Sequence, residues 1–321
     1  MGHCRGLLAG GGRNIIMAQP QGSFGIYDGG ASRPSMVPAG AGPTVPRRLL
    51  GARLRRLREE RRITLEDAGS VIRSSGSKMS RLETGRVGFK ARDIADLLTF
   101  YEVIEEQQRA ALLQLAHSAS SHGWWHDYSD VMPAWFESYV GLEEAAVSIR
   151  TYEIQFVPGL LQTEDYARAV TLLGHDGEPS EEIEQRVALR MGRQALLTGP
   201  QPTHLWAVLD EAVLRRPAGR PGVMRRQLQQ ILQAAERPNV TIQVIPFSAG
   251  AHAAAGGPFS ILRFAERDLP DVVYLEQLTS ALYLDKRETV DHYMAVMERL
   301  CLEATPAAAT AKIINAILRD G

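Results

Sequence analysis

Residues 75–86 read SGSKMSRLETGR, and this short stretch decides the fold of the N-terminal part of the chain. Met79 and Leu82 share one side of a helical wheel, which predicts a helix with a buried apolar edge. The opposite, polar side carries Ser77, Ser80, Arg81 and Thr84, with Lys78 on the flank. A helix with short polar side chains and one long arginine suits a close approach to a polyanion.

Capping residues mark the ends of this helix and of the one before it. Ser75 is a good N-cap, and Gly85 supplies the left-handed residue that would end the helix. Upstream, Thr64 stands three residues before Asp67, a spacing like that of a capping box, which predicts another helix to about residue 72. Because only a tight turn separates the two helices, the pattern is that of a helix-turn-helix.

Apolar periodicity extends the pair to five helices. Leu50, Leu54 and Leu57 recur at helical spacing after Arg47, and two amphipathic runs follow α-helical period to about residue 117. Further helices are predicted over 180–197, 222–236, 287–303 and 306–319, and strands over 205–214, 240–247, 259–264 and 271–278. The expected fold class is α+β, with an all-α five-helix helix-turn-helix domain followed by a mixed α/β domain.

Four segments are expected along the chain. The first is rich in Gly, Pro and Ser without a sustained period, a composition typical of disorder. The segments are a disordered extension (1–46), a helix-turn-helix DNA-binding domain (47–118), a regulatory or interaction domain (119–304) and a C-terminal amphipathic helix (305–321).

Charge is distributed unevenly between these segments. Residues 47–92 contain 14 Lys and Arg against 5 Asp and Glu, whereas the rest of the chain has 22 against 32. A basic segment on an acidic body indicates a polyanion partner, and here we expect double-stranded DNA. In the major groove Arg81 would reach a guanine edge. The main DNA contacts are expected from Arg81, Lys78 and the backbone near Ser77, and Ser75, Gly76 and Thr84 are also expected at the interface. The basic residues of the first helix and Arg86, Lys90 and Arg92 are expected to add phosphate contacts.

The two cysteines and the hydropathy favour a cytoplasmic protein. Cys4 and Cys301 lie at opposite ends of the chain and match no metal or redox spacing. No apolar run approaches the roughly 18 residues of a membrane span, so no membrane partner is expected.

The stretch LRRLREERRITLEDAGSVIRSSGSKMSRLETGR resembles the XRE family, the lambda/434-repressor class of helix-turn-helix regulators, over about residues 49–104. The resemblance implies that the third helix enters the major groove. It places the contact positions of the family on Gly76, Ser77, Lys78 and Arg81, and a buried structural ion pair of the family on Arg58 and Glu83.

The chain departs from the family pattern at three positions. Leu65 replaces a phosphate-gripping glutamine, and Gly69 and Arg73 replace the usual alanine and turn glycine. These changes predict a weaker phosphate clamp at the second helix, compensated by Arg73.

The C-terminal part resembles the DUF5753 domain of actinobacterial regulators over about residues 124–303. The resemblance is carried by GWWHDYSDVMPAWFESYVGLEEAA, YEIQFVPGLLQTEDYARAV, TIQVIPF and GPFSILRF. It implies an XRE-type head and a small DUF397-type partner protein. A junction between the head and this domain, near the aromatic residues Trp124, Trp125, Trp135 and Phe136, is the expected place where a ligand or that partner acts on the head.

Dimeric binding to a two-fold-related operator is expected, because one recognition helix reads few base pairs. The second domain or the C-terminal tail, with Ile313, Ile314, Ile317 and Leu318, is the expected place of self-association.

Two alternatives to a regulator stay open: an enzyme that carries a DNA-binding head, and an antitoxin-like or toxin-like partner of a small DUF397 protein. Candidate carboxylates and a candidate histidine are Asp210, Glu211, Glu276 and His252, and their convergence in one pocket would favour an enzyme. The motifs GxSxG, HExxH and CxxC are absent from the sequence. His117, His122 and His126 lack metal-ligand spacing, so no metal site is expected. Because the catalytic motifs are also absent, neither a catalytic site nor a cofactor is expected.

Overall fold

The computed structural model describes residues 44–120, 123–175, 177–266 and 268–320. It begins with five helices: α1 (Thr44–Glu60), α2 (Leu65–Val71), α3 (Gly76–Glu83), α4 (Ala91–Phe100) and α5 (Glu106–Ser118). The first helix starts three residues before the expected position at Arg47. The predicted disordered extension otherwise lies outside the described residues.

The capping predictions for the helix-turn-helix are confirmed. The hydroxyl of Thr64 accepts a hydrogen bond from the Asp67 amide at 3.1 Å, and the hydroxyl of Ser75 accepts one from the Lys78 amide at 3.2 Å. Gly85 has a φ of 69°, in the left-handed region that ends a helix most easily at glycine. Local side-chain chemistry therefore sets the boundaries of α2 and α3.

The C-terminal part is a six-stranded mixed sheet with helices. Its elements are α6 (Ala134–Ala145), β1 (Ser148–Glu153), α7 (Glu164–Gly174), α8 (Ser180–Arg193), β2 (His204–Asp210), α9 (Glu211–Arg215), α10 (Val223–Ala235), β3 (Val240–Ile245), β4 (Phe259–Arg263), β5 (Val272–Glu276), β6 (Ala281–Leu284), α11 (Arg287–Glu303) and α12 (Ala307–Asp320). The strand order is β3-β2-β1-β4-β5-β6. Pairing is parallel among β1, β2 and β3 and antiparallel from β1 through β4 and β5 to β6. The predicted α+β class is confirmed.

Three details of the predicted pattern were wrong. Residues 211–214, predicted as the end of a strand, form α9, because the Asp210 side chain accepts a hydrogen bond from the Ala212 amide at 2.8 Å and caps a helix there. The strands β1 and β6 were not predicted. The sequence of β1, SIRTYE, is largely polar, and β6 has four residues, so neither carries a strong strand signal.

The two edges of the sheet differ. At the β3 edge the Thr305 amide donates to the Val244 carbonyl at 2.8 Å, and the Thr310 hydroxyl donates to the Ile242 carbonyl at 2.6 Å. Ile314 of α12 is fully buried there. The apolar side of α12 therefore packs against the core. It does not form the free surface for self-association that the sequence predicted.

One hydrophobic core joins the helical and the mixed parts. Leu49 and Leu54 of α1 belong to the same buried cluster as Tyr139 and Leu142 of α6. A Cβ atom at Gly141 would collide with the Thr44 side chain, so this glycine allows α1 and α6 to pack closely. Among the described helices, none is long and apolar enough to cross a membrane.

Candidate nucleic-acid interface

A buried ion pair fixes α1 against α3. The Arg58 guanidinium donates from Nε to Glu83 Oε1 at 2.6 Å and from Nη2 to Oε2 at 2.8 Å. Its third nitrogen, Nη1, donates to the Ile63 carbonyl at 2.9 Å. The hydrogen bond with Glu83 raises the pKa of Arg58, so the pair is held in its charged form. A satisfied bidentate pair of this kind sets the position of α3 on the rest of the head.

Two glycines let α1 and the end of α3 approach each other. A Cβ at Gly51 would lie 2.5 Å from the Glu83 carbonyl oxygen, and one at Gly85 would lie 2.6 Å from Cγ of Arg48. Larger residues at either position would force the helices apart. The recognition helix is thus held by backbone contact with α1 as well as by the ion pair.

The outward side of α3 faces solvent. Met79 and Leu82 are buried, whereas Ser77, Lys78 and Arg81 are exposed. The Ser75 hydroxyl is occupied as the N-cap. The Thr84 hydroxyl donates back to the Ser80 and Arg81 carbonyl oxygens. Both hydroxyls are therefore bound within the helix itself.

Gly76 packs inside the motif. It is buried, and a Cβ there would lie 2.7 Å from Oε1 of the exposed Glu66 side chain, which can move, and 3.3 Å from the Glu66 backbone nitrogen, so the start of α3 lies close to α2. Gly69 has a similar role, because a Cβ there would lie 2.8 Å from the Ser74 carbonyl oxygen. The turn backbone lies too close for the family's usual alanine, which explains this departure.

Five basic residues surround the outward side of α3, and we call them the recognition surface. They are Arg73, Lys78, Arg81, Arg86 and Lys90, all exposed. Arg73 lies in the turn before α3 with a left-handed φ of 54°, while Arg86 and Lys90 follow the helix. Within the described part of the chain none of the five has an ion-pair partner.

The arginines of α1 are arranged differently. Arg48 lies 2.6 Å from a carboxylate oxygen of Asp285, and Arg53 and Arg56 lie 3.5 and 3.1 Å from Asp268. We call α1–α5 the head and the part with the mixed sheet the body. Both aspartates belong to the body, and we call these contacts between head and body the seam. In this arrangement the three arginines hold the head on the body. The phosphate contacts expected from the first helix stay a prediction. Sequence reasoning missed the seam because its partners are far apart in the chain. Arg56 and Asp268 are 212 positions apart, and Arg48 and Asp285 are 237 positions apart.

The candidate enzyme residues have different hydrogen-bond partners, although both Asp210 and His252 lie near Tyr152. Asp210 caps α9, and Glu211 pairs with Arg215 at 2.6 Å. His252 Nε2 lies 3.0 Å from the Tyr152 hydroxyl, on the face of the sheet that α11 covers. Glu276 accepts a hydrogen bond from Tyr274, whose ring packs in the other core cluster. Each residue therefore has a separate local partner.

Sequence reasoning also missed a group of buried polar residues beneath α8. Arg193 forms a bidentate pair with Glu143 at 2.6 and 2.7 Å, next to a cavity of ≈ 300 Å³ lined in part by Trp124. Burial raises the pKa of Glu153 to about 8 and lowers the pKa of Arg190 to about 10. No local motif joins these residues, because they come from separate helices and strands.

The aromatic residues before α6 and in its first turn are mainly core. Trp125 is buried with Val140 and Leu189, and Phe136 packs against the same small cluster. Trp135 is half-buried, and its carbonyl accepts a hydrogen bond from the Tyr283 hydroxyl at 2.5 Å. Trp124 is 37% exposed. The aromatic side chains thus support the join between α6 and its neighbours.

No metal-binding group of three or more His, Cys, Asp or Glu occurs among the described residues. His117 is exposed on α5, and His126 lies in a 3-10 turn at residues 124–131. The third candidate, His122, lies outside the described residues.

Comparisons with known proteins agree with this arrangement. Residues 49–112 match the model of a helix-turn-helix domain, and residues 136–316 match a domain of unknown function, DUF5753. A search of curated proteins and a search of solved structures each gave no match. The two family matches confirm the predicted order of an XRE-like head and a DUF5753 domain, which indicates a DNA-binding regulator. The chain belongs to the DUF5753 family, with its helix-turn-helix domain preceding the domain that defines the family.

Proposed function

We propose that the protein is a sequence-specific transcriptional regulator that inserts α3 into the major groove of duplex DNA. The observation that carries the proposal is the set of five exposed basic residues without ion-pair partners among the described residues. By contrast, Arg48, Arg56 and Arg58 of α1 are bound by carboxylates. An unpaired basic face around an exposed helix is the electrostatic footprint of a nucleic-acid-binding protein.

Each residue of the recognition surface has a distinct proposed role. Arg81 is the base-reading residue, because its side chain is the longest donor on the outward side of α3 and a guanidinium matches guanine O6 and N7. Ser77 allows the backbone to approach the bases. Lys78, Arg86 and Lys90 contact phosphates, and Arg73 compensates for the missing glutamine of α2. Ser75, Gly76 and Thr84 act through the helix they cap or pack.

The test replaces Arg81 with alanine in the full chain and measures affinity for an operator selected from a random duplex pool and for random DNA. We expect a loss of about 1 to 3 kcal/mol on the operator and a smaller loss on random DNA. Arg55→Ala is the matched control, because Arg55 is an exposed arginine held by Glu59 at 2.8 Å. Equal losses on both DNAs for Arg81→Ala would refute the base-reading role.

We further propose that the DUF5753 domain modulates DNA binding through the seam. Arg48 is bound by Asp285 of the body and packs against Gly85, the residue that ends α3. A partner or ligand that moves Asp285 would therefore move the end of the recognition helix. The resemblance to DUF5753 regulators suggests a small DUF397-type protein as this partner. The candidate enzyme residues each have a different contact partner, which favours such a regulator over an enzyme. These residues are Asp210, Glu211, His252 and Glu276.

Operator affinity of the full chain with and without the DUF397-type protein tests this proposal. We expect the partner to change affinity in the wild type and to change it less in Asp285→Asn. Asp271→Asn is the control, since Asp271 forms an ion pair with Arg263 within the body. The same partner effect in all three proteins would contradict a role of the seam.

A further inference from the structure

Among the described residues, no strand pairs with the outer edge of β6. The Gln277 amide donates to the Ser280 carbonyl at 2.9 Å, closing a two-residue turn before β6. Pairs alternate along an antiparallel ladder between hydrogen-bonded and non-hydrogen-bonded, so Leu282 and Leu284 bond to β5. The backbone N–H and C=O groups of Ala281 and Tyr283 therefore point away from the sheet. No described residue forms a backbone hydrogen bond with them.

This edge lacks the features that usually protect a strand from pairing. Proteins shield exposed edges with proline, charged side chains, bulges or a covering segment. Residues 277–284 contain neither proline nor a charged residue. Leu282 is 47% exposed and Leu278 is fully exposed. At the other edge of the same sheet, α12 and the Thr305 amide cover β3. The open edge thus carries both unpaired backbone groups and exposed leucines.

We propose that β6 is an interface with a second copy of this chain, formed by antiparallel pairing about a two-fold axis at Leu282. In this register Ala281 of one copy lies opposite Tyr283 of the other, and both residues have their hydrogen-bonding groups directed outward. The two copies exchange both backbone hydrogen bonds at each such position. The two Leu282 side chains meet at a non-hydrogen-bonded pair, where Cα atoms are about 4.5 Å apart.

A second copy fits this edge for two reasons. The outward backbone groups of Ala281 and Tyr283 match those of Tyr283 and Ala281 in a second copy after a two-fold rotation. A second copy can therefore bond all of them. Asp285, directly after β6, binds Arg48 of α1, so the axis lies near the helix that holds α3. Pairing through β6 therefore gives two recognition helices related by two-fold symmetry, as a palindromic operator requires. The need for two heads rests on the proposed function, but the interface is tested without DNA.

Cysteine cross-linking tests the register in the full chain. In a Cys4→Ser background, Leu282→Cys places two thiols on the axis, at a Cα separation that a disulfide spans. Leu278→Cys is the control: it is fully exposed but four residues from the axis, so the two copies of this thiol lie about 27 Å apart at 3.4 Å per residue. We expect mild oxidation to cross-link Leu282→Cys and leave Leu278→Cys uncross-linked. Equal cross-linking, or cross-linking at position 278 alone, overturns the proposal.

Mass in solution tests whether β6 holds the dimer. We expect the wild type at tens of micromolar to have twice the chain mass of 35.3 kDa, and Leu282→Lys to halve that mass. Leu173→Lys, an exposed leucine at the end of α7, should leave the dimer intact. Matching far-ultraviolet circular dichroism spectra of the two lysine variants would show that the Leu282 change acts on pairing and not on folding of the chain. A monomeric wild type, or a Leu282→Lys protein that stays dimeric, contradicts the interface.

Discussion

The helical head has two basic surfaces that look alike in the sequence and differ in the structure. On α1, Arg48, Arg53 and Arg56 lie against aspartates of the mixed domain. Around α3, the recognition surface has no ion-pair partner among the described residues. Both surfaces contribute to the same excess of Lys and Arg over residues 47–92.

Net charge alone does not locate a DNA-binding face. Part of the positive charge of the head is neutralised by aspartates of the body. Only the basic side chains that are left without such a partner are available to a polyanion. The carboxylates of the seam are 32% to 42% exposed, and ion pairs accessible to solvent contribute about 0 to 1 kcal/mol each, so the seam orients the head without dominating its stability. Charge that is unpaired in the folded protein is the better indicator of a binding surface.

The largest expected effect concerns the buried pair beneath both surfaces. Arg58→Ala leaves the Glu83 carboxylate buried without its guanidinium, and this should cost about 3 to 5 kcal/mol of unfolding free energy. Urea unfolding at pH 7 measures it. Arg55→Ala, which removes an exposed arginine of the same helix, should cost no more than about 1 kcal/mol. Similar losses in both variants would mean that α3 is not held by the Arg58–Glu83 pair.

A smaller, opposite effect on stability is expected at Arg73. Its left-handed backbone costs a residue with a Cβ about 1 to 2 kcal/mol, so Arg73→Gly should gain about 1 kcal/mol of stability. Because the variant also loses a charge of the recognition surface, it should bind all DNA sequences more weakly. Arg73→Lys keeps both the charge and the Cβ and should change neither property. Undiminished DNA affinity in Arg73→Gly would remove Arg73 from the recognition surface.

The smallest expected effect is at the seam. Arg56→Ala breaks an exposed ion pair with Asp268 and should lower stability by about 0 to 1 kcal/mol. Operator affinity, measured by fluorescence anisotropy, should stay unchanged. If its affinity fell as far as that of Arg81→Ala, the two basic surfaces would have the same function and the comparison would fail.

Local signals made much of the head predictable. Hydroxyl caps at Thr64 and Ser75 and the glycine at position 85 act within a few residues, so the sequence alone predicts where α2 and α3 begin and end. The Arg58–Glu83 contact was expected only from the family resemblance. Features made by distant residues were not predictable: the seam, the Arg193–Glu143 pair and the use of α12 to cover β3. The edge strand β6 was missed for another reason, because its four residues carry a weak strand signal.

We expect DNA to bind the recognition surface and not the arginines of α1, and the salt dependence of binding distinguishes the two. Each phosphate contact contributes about 0.9 to the slope of log affinity against log salt concentration. The double variant Arg86→Ala/Lys90→Ala should lower that slope by about 1.8. Arg55→Ala/Arg56→Ala, which removes the same charge from α1, should leave the slope unchanged. An equal fall in slope for both double variants would contradict the account.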